Sequence, residues 1–173
     1  MLVDTWKILE EVINKNMLDT VIVNNVMQVY ANALQEDKIR GLILPLYEKF
    51  NLQMDSYTYE ILVDLSYKKK DFNTAIRVWE QMKRNIEERK QKEIEKFGIY
   101  KANTDLMRED LRPTFNALEL YIQMGIRLMN MPMILESLDW FKKLKRHPKN
   151  STLKFLGNLK NLPEEIVASL MDF

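Results

Sequence analysis

Tyr57-Thr58-Tyr59-Glu60-Ile61-Leu62-Val63, followed by Asp71-Phe72-Asn73-Thr74-Ala75-Ile76-Arg77-Val78-Trp79-Glu80-Gln81-Met82-Lys83, is the stretch on which the fold turns. Residues from about Tyr57 to Tyr67 are apolar on most sides, the pattern of a well-buried helix. Lys68-Lys69-Lys70 forms the turn, and Asp71 is a natural N-cap for the next helix. There Phe72, Ala75, Ile76, Trp79 and Met82 recur at helical spacing. That helix is predicted to continue through Lys83–Phe97, where Lys, Arg, Glu and Gln dominate and only Ile86, Ile94 and Phe97 are apolar. So polar a helix should project as an arm, held by charge pairs three and four residues apart.

Working outward, Leu2, Trp6, Leu9 and Ile13 form an apolar stripe ended by Asn14-Lys15-Asn16. No first-helix partner precedes this stripe, so it is expected to dock on the next helices and on another chain or an upstream segment. A second helix carries Val23, Val26, Met27, Tyr30 and Leu34 and is broken by Gln35-Glu36-Asp37. A third runs from Ile39 to Phe50, where Pro45 implies a kink or a late start. Downstream, Gly98 to Asp110 reads as a loop, and Pro113 suits the first turn of a helix bearing Phe115, Leu118, Tyr121, Ile122 and Leu128. Pro132 opens another with Ile134, Leu138, Phe141 and Leu144, stopped by His147-Pro148. A short helix is expected at Ser151–Leu159, and Pro163-Glu164-Glu165 begins a last one. No segment alternates with period two, and four glycines and five prolines are few for a sheet protein, so the class is all-α.

The helices repeat. Val23-Asn24-Asn25-Val26-Met27 aligns with Tyr59-Glu60-Ile61-Leu62, and Leu46-Tyr47-Glu48-Lys49-Phe50 echoes Val78-Trp79-Glu80-Gln81-Met82. Pro113-Thr114-Phe115-Asn116-Ala117-Leu118 restarts the first helix, and Leu138-Asp139-Trp140-Phe141-Lys142-Lys143-Leu144 closes the second. The central unit resembles a pentatricopeptide repeat: an aromatic, a polar residue and a Leu-Ile-type run, then Ala-x-x-x-aromatic-x-x-Met. The resemblance spans residues 20–147. The first copy has an enlarged turn, the third a longer first helix, and the charged extension parts the second from the third. Tetratricopeptide repeats want a small residue that Val26-Met27-Gln28-Val29 and Leu62-Val63-Asp64-Leu65 lack. The resemblance implies an α-solenoid of about four antiparallel helical hairpins in one domain, residues 1–173. Its units are 1–16 (partial), 20–54, 55–97 with the extension and the loop to 110, 111–147, and 148–173 (partial).

Composition removes several functions. The formal net charge is +1, whereas a protein that grips nucleic acid alone needs a clear cationic excess. Without cysteine there is no disulfide, zinc–thiolate site or thiol catalysis. His147 is the only histidine and lies in a basic run, so no Ser-His relay can be assembled. Gly41, Gly98, Gly125 and Gly157 are isolated, which excludes a phosphate-cradling loop. No enzyme activity, cofactor, metal, small-molecule substrate or membrane insertion is expected. Met1-Leu2-Val3-Asp4 has neither a secretory core nor an arginine-rich presequence, so the chain is expected to be mature or part of a longer one.

The resemblance implies a mitochondrial protein that contacts RNA and other subunits of a large complex, the mitochondrial ribosome first among candidates. A protein–protein scaffold in a mitochondrial complex and a stand-alone RNA-processing or stability factor are the alternatives. In the resembled family one first-helix residue and one at the repeat's end select a base. Those positions map onto Asn24, Glu60 and Asn116, and onto Asp55; Asn24 with Asp55 resembles a uridine-preferring pair. Ordinary exposed polar residues would look the same. Lys142, Lys143, Lys145, Arg146 and Lys149 are the denser of two basic clusters that could meet phosphate, the other being Lys68–Lys70. Leu2, Trp6, Leu9, Ile13, Ile86, Ile94 and Phe97 are the candidate partner-binding residues. Trp6, Trp79 and Trp140 stand at core spacing.

Overall fold

The computed structural model describes residues 2–97, 112–159 and 162–173, with the side chains of Leu2, Val3 and Phe97 outside that description. The expected loop Gly98–Asp110 lies outside the described residues. Among those described, regular structure is helical throughout. In chain order the elements are α1 (Leu2–Asn14), α2 (Thr20–Asn32), α3 (Glu36–Lys38), a π turn (Ile39–Ile43) and α4 (Leu44–Lys49). Then come α5 (Ser56–Lys68), α6 (Phe72–Phe97), α7 (Phe115–Arg127), α8 (Met131–Lys143), α9 (Asn150–Gly157) and α10 (Glu164–Leu170).

Side-chain caps start the longer helices. Asp19 accepts from the Ile22 N–H at 2.8 Å, Asp55 from Thr58 at 2.8 Å and Asp71 from Thr74 at 3.0 Å. Thr114 accepts from the Ala117 N–H and Asn130 from the Met133 N–H, both at 3.2 Å. Each such cap is worth about 1 kcal/mol over alanine. Pro113 therefore stands outside its helix, one residue before the cap, and Pro163 is itself the cap residue of α10 rather than its first helical residue.

The stops are equally regular and use no glycine. Asn16, Leu34, Asn51, Lys70, Met129 and Lys145 all adopt φ between 50° and 60°, each two residues past a helix end. The following N–H then reaches back across the last turn: Gln35 to the Tyr30 carbonyl at 2.9 Å, Asn130 to that of Gly125 at 2.8 Å. This is the Schellman closure, which satisfies carbonyls that would otherwise be orphaned.

Caps and stops share one register. From cap to left-handed stop is 15 residues in α2 (Asp19 to Leu34), α5 (Asp55 to Lys70) and α7 (Thr114 to Met129), and the next helix is capped by the residue after the stop. The same span closes α8, Asn130 to Lys145, whereas Gln35 to Asn51 takes 16. The extra residue falls where the π turn lies, because i→i+5 bonding takes up one more residue per turn. Pro45 follows in the first turn of α4 and lacks the N–H that an undistorted helix would need. The predicted kink is thus a π turn, and the helix begins at Glu36 instead of Ile39.

The chain divides into two compact units, Met1–Val78 and Trp79–Phe173, with the boundary inside α6. In the first unit α2 packs on α1, the π turn and α5. Leu9, Val23, Met27, Ile39 and Ile43 are fully buried there. In the second unit the Trp79 ring stacks on Tyr121, centroids 4.0 Å apart. Around them Leu118, Ile122, Ile134, Leu138 and Phe141 are fully buried. Helices α7 and α8 are antiparallel: Phe115 at the start of α7 meets Phe141 near the end of α8 at 5.8 Å. At the opposite end a Cβ on Gly125 would lie 3.1 Å from Ile134 Cγ1 and Met133 Cβ, a tight fit that α8 could admit only by giving a few tenths of an ångström.

The extension does continue α6, as predicted, but it is no free arm. Met82 and Ile86 are buried, and Lys83, Arg89, Lys90, Glu93 and Ile94 are half-buried along the same face. Lys83 bridges Glu136 of α8 at 2.8 Å and Glu80 at 2.9 Å. No described helix is long and apolar enough to cross a membrane.

Candidate RNA-contacting surface

Asn24 and Asp55 meet, but inside the fold. The Asn24 amide donates to Asp55 Oδ1 at 3.0 Å, and its carbonyl accepts from the Tyr47 hydroxyl at 2.6 Å and the Thr58 hydroxyl at 2.8 Å. Asn24 is buried, Thr58 fully so, and burial pushes the Tyr47 phenol up to about 12. Asp55 is already engaged as the cap of α5, in a reciprocal box with Thr58. The network joins the start of α2 to the start of α5. The expected base-reading pair is spent on holding two successive first helices together.

A second junction has the same geometry. Glu119 of α7 is buried, accepts the Lys149 N–H on one carboxylate oxygen and takes the Thr152 hydroxyl at 2.7 Å on the other. Counted from their caps, Asn24 (from Asp19) and Glu119 (from Thr114) stand at one position. Lys149 and Thr152 then occupy the places of Asp55 and Thr58 in the next first helix. The residue equivalent to Asn24 in α7 is thus Glu119, while Asn116 stands three residues earlier. Asn116 is exposed, at the place of Val21 and Tyr57. Glu60 is the equivalent in α5 and is half-buried.

No protein-family model matches the chain, and no curated protein matches it in sequence.

The basic cluster divides in two. Lys142 pairs with Asp172 at 2.7 Å, and Lys143 pairs with Asp139 at 2.6 Å while lying over the Trp140 ring. Lys145 and Arg146 are exposed and make no side-chain ion pair among the described residues. Lys145 sits at the left-handed stop of α8, so both side chains leave the end of that helix into solvent. The Lys149 ammonium lies 5.9 Å from the Phe115 ring, and the His147 ring packs edge-on to Phe173. Among the described residues no acidic or histidine group could hold a metal ion.

The expected partner-binding residues are mostly covered by their own chain. Leu9 and Ile86 are buried, Trp6 and Ile13 pack half-buried against the first core, and Ile94 is half-buried. The side chains of Leu2 and Phe97 lie outside the described residues. Of the three tryptophans only Trp79 is fully buried; its indole N–H donates to Glu136, which also accepts from Tyr121. Sequence reasoning missed Tyr47, Thr58, Glu119, Thr152 and Glu136. The pairs Asn24/Thr58 and Glu119/Thr152, at nearly one separation, were the available signal.

Proposed function

We propose that this chain is a non-catalytic, pentatricopeptide-like helical-repeat subunit of an organellar ribonucleoprotein, a mitochondrial ribosome foremost. It meets RNA through phosphate at Lys145 and Arg146 rather than through base edges. One observation supports it most: the 35-residue unit from Thr114 to Lys149, matched by Asp19 to Asp55 with one inserted residue, and stapled at the same position in both copies. Repeats of that length are stacked to bury a continuous core, which favours a solenoid of helical hairpins. The compartment follows from the family resemblance alone. Base reading needs outward hydrogen-bonding edges, and Asn24 and Glu119 turn theirs inward. Phosphate contact needs only exposed cations with fixed positions. A net charge of +1 makes the isolated chain a weak binder that depends on neighbours.

The test is sedimentation of the tagged native protein with and without nuclease. Migration with a large particle that nuclease disperses is the expected result, and the K145E/R146E variant should leave the particle without unfolding. Migration as a lone chain would overturn the reading. Migration with a nuclease-resistant complex would establish the protein scaffold instead.

A further inference from the structure

We propose that the segment after α10 is a latch on the basic surface, with Asp172 and Phe173 occupying the face that meets phosphate. The proposal rests on the reading that Lys145 and Arg146 meet RNA phosphate, and it concerns the run 142–149 that holds them. Two adjacent residues reach opposite ends of that run. Asp172 takes Lys142 at 2.7 Å in the last turn of α8, and the Phe173 ring meets His147 edge-on at 5.7 Å beyond the stop. The segment is delivered there by α10, which packs on α8 and buries Ile166 completely. The anchor is apolar and firm, while the latch itself is superficial: the Asp172 side chain keeps 63% of its surface exposed. An exposed ion pair is worth little, so a strand offering several phosphates displaces it. Closed, it neutralises Lys142 and leaves Lys145 and Arg146 as the cations that first engage an incoming strand. Opening adds a phosphate partner.

The experiment is fluorescence anisotropy of a labelled uridine oligomer, about 20 nucleotides long, with the full chain over a range of salt. D172N, and D172N/F173A as a second variant, should bind about two- to fivefold more tightly, the range one exposed pair can supply. The log–log salt slope should steepen by about 0.7, the value for one further single-strand phosphate. E164Q removes one charge from the first turn of α10, at the end of that helix farther along the chain from Asp172, and should change neither quantity. If E164Q matches D172N, net charge and not a latch is responsible. If D172N and D172N/F173A behave as wild type while K145E/R146E weakens binding, the latch is wrong and the RNA reading stands. If K145E/R146E has no effect, or no binding is seen, the RNA reading fails and the latch with it.

Discussion

The junction between α2 and α5 and that between α7 and α9 use one register and opposite chemistry. In the first, the carboxylate is the cap residue, Asp55, and the residue reaching across is a neutral amide, Asn24. In the second, the cap residue is Lys149, which makes no side-chain cap, and the reaching residue is the carboxylate Glu119. The acid has moved from one side of the junction to the other: Asp55 accepts the Thr58 N–H inside α5, whereas Glu119 accepts the N–H of the cap residue Lys149 and the Thr152 hydroxyl. Either way a carboxylate meets the start of the next helix. Repeats can therefore lose their sequence likeness while keeping their geometry.

The largest effect is expected at Glu119. E119A leaves a buried hydroxyl and a backbone N–H without their acceptor and should cost about 3 kcal/mol in urea denaturation. E119Q keeps one acceptor oxygen for the Lys149 N–H, while its NH2 donates to the Thr152 hydroxyl oxygen, and should cost about 1 kcal/mol. Equal losses for the two would mean that packing, not hydrogen bonding, sets the value of the junction.

Lys149→Asp sharpens the comparison. Aspartate is an excellent N-cap on an isolated helix, yet here it would face the Glu119 carboxylate. K149D should destabilise by about 1–2 kcal/mol, and the double variant E119N/K149D, which recreates the Asn24/Asp55 pairing, should recover at least half of the E119N loss. An additive double-mutant cycle would break the equivalence of the junctions. N24A is expected to cost about 2 kcal/mol, less than E119A, because the Asp55 box still caps α5 without it.

How much of this was legible beforehand differs by level. The helical class and most helix positions followed from apolar spacing, since burial of one face leaves a periodic mark. Asp71 as a cap and Pro132 in a first turn were read for the same local reasons. Asn24 and Asp55 were paired correctly but faced the wrong way: a polar residue looks exposed in sequence until the partners that satisfy it, Tyr47 and Thr58, are brought in from 23 and 34 residues away. By distance from the cap, Glu119 and not Asn116 matches Asn24, because Thr114, one residue past Pro113, caps α7. The ends at Asn16 and Lys70 were read as a stop and a turn, but Leu34, Met129 and Lys145 left no mark, being poor left-handed residues tolerated where the backbone bonds demand it.

Those stops give a smaller, stabilising test. A non-glycine side chain in the left-handed region costs about 1 kcal/mol, so L34G and M129G should each raise stability by about 0.5–1 kcal/mol, both side chains being exposed. N16G and N51G should change little, since asparagine tolerates that conformation. A loss of stability in M129G would mean that the α7–α8 turn depends on the methionine side chain.

The smallest effects separate the units by pH. In the first unit Glu36 accepts from Lys69 and, at 2.7 Å, from Arg40, and these bonds, Lys69 foremost, hold its carboxyl below the usual 4.5. A carboxyl lowered in the folded state contributes stability that is full above its unfolded value and lost as pH falls through the folded one. In the second unit burial alone would lower the Lys83 ammonium, but its bonds to Glu136 and Glu80 outweigh this and raise it above 10.5. Its contribution is full below 10.5 and lost as pH rises through the higher folded value. Denaturation midpoints followed from about pH 3 to about pH 11 should then move at opposite ends. E36Q should flatten the acid limb below 4.5 and spare the alkaline one, and K83M should do the reverse. Each change stays under about 1 kcal/mol because solvent reaches both pairs. An acid limb that E36Q leaves untouched would place the acid sensitivity of the first unit elsewhere, with Asp71, whose carboxyl is held low by its bonds to Thr74, as the next carboxylate to change.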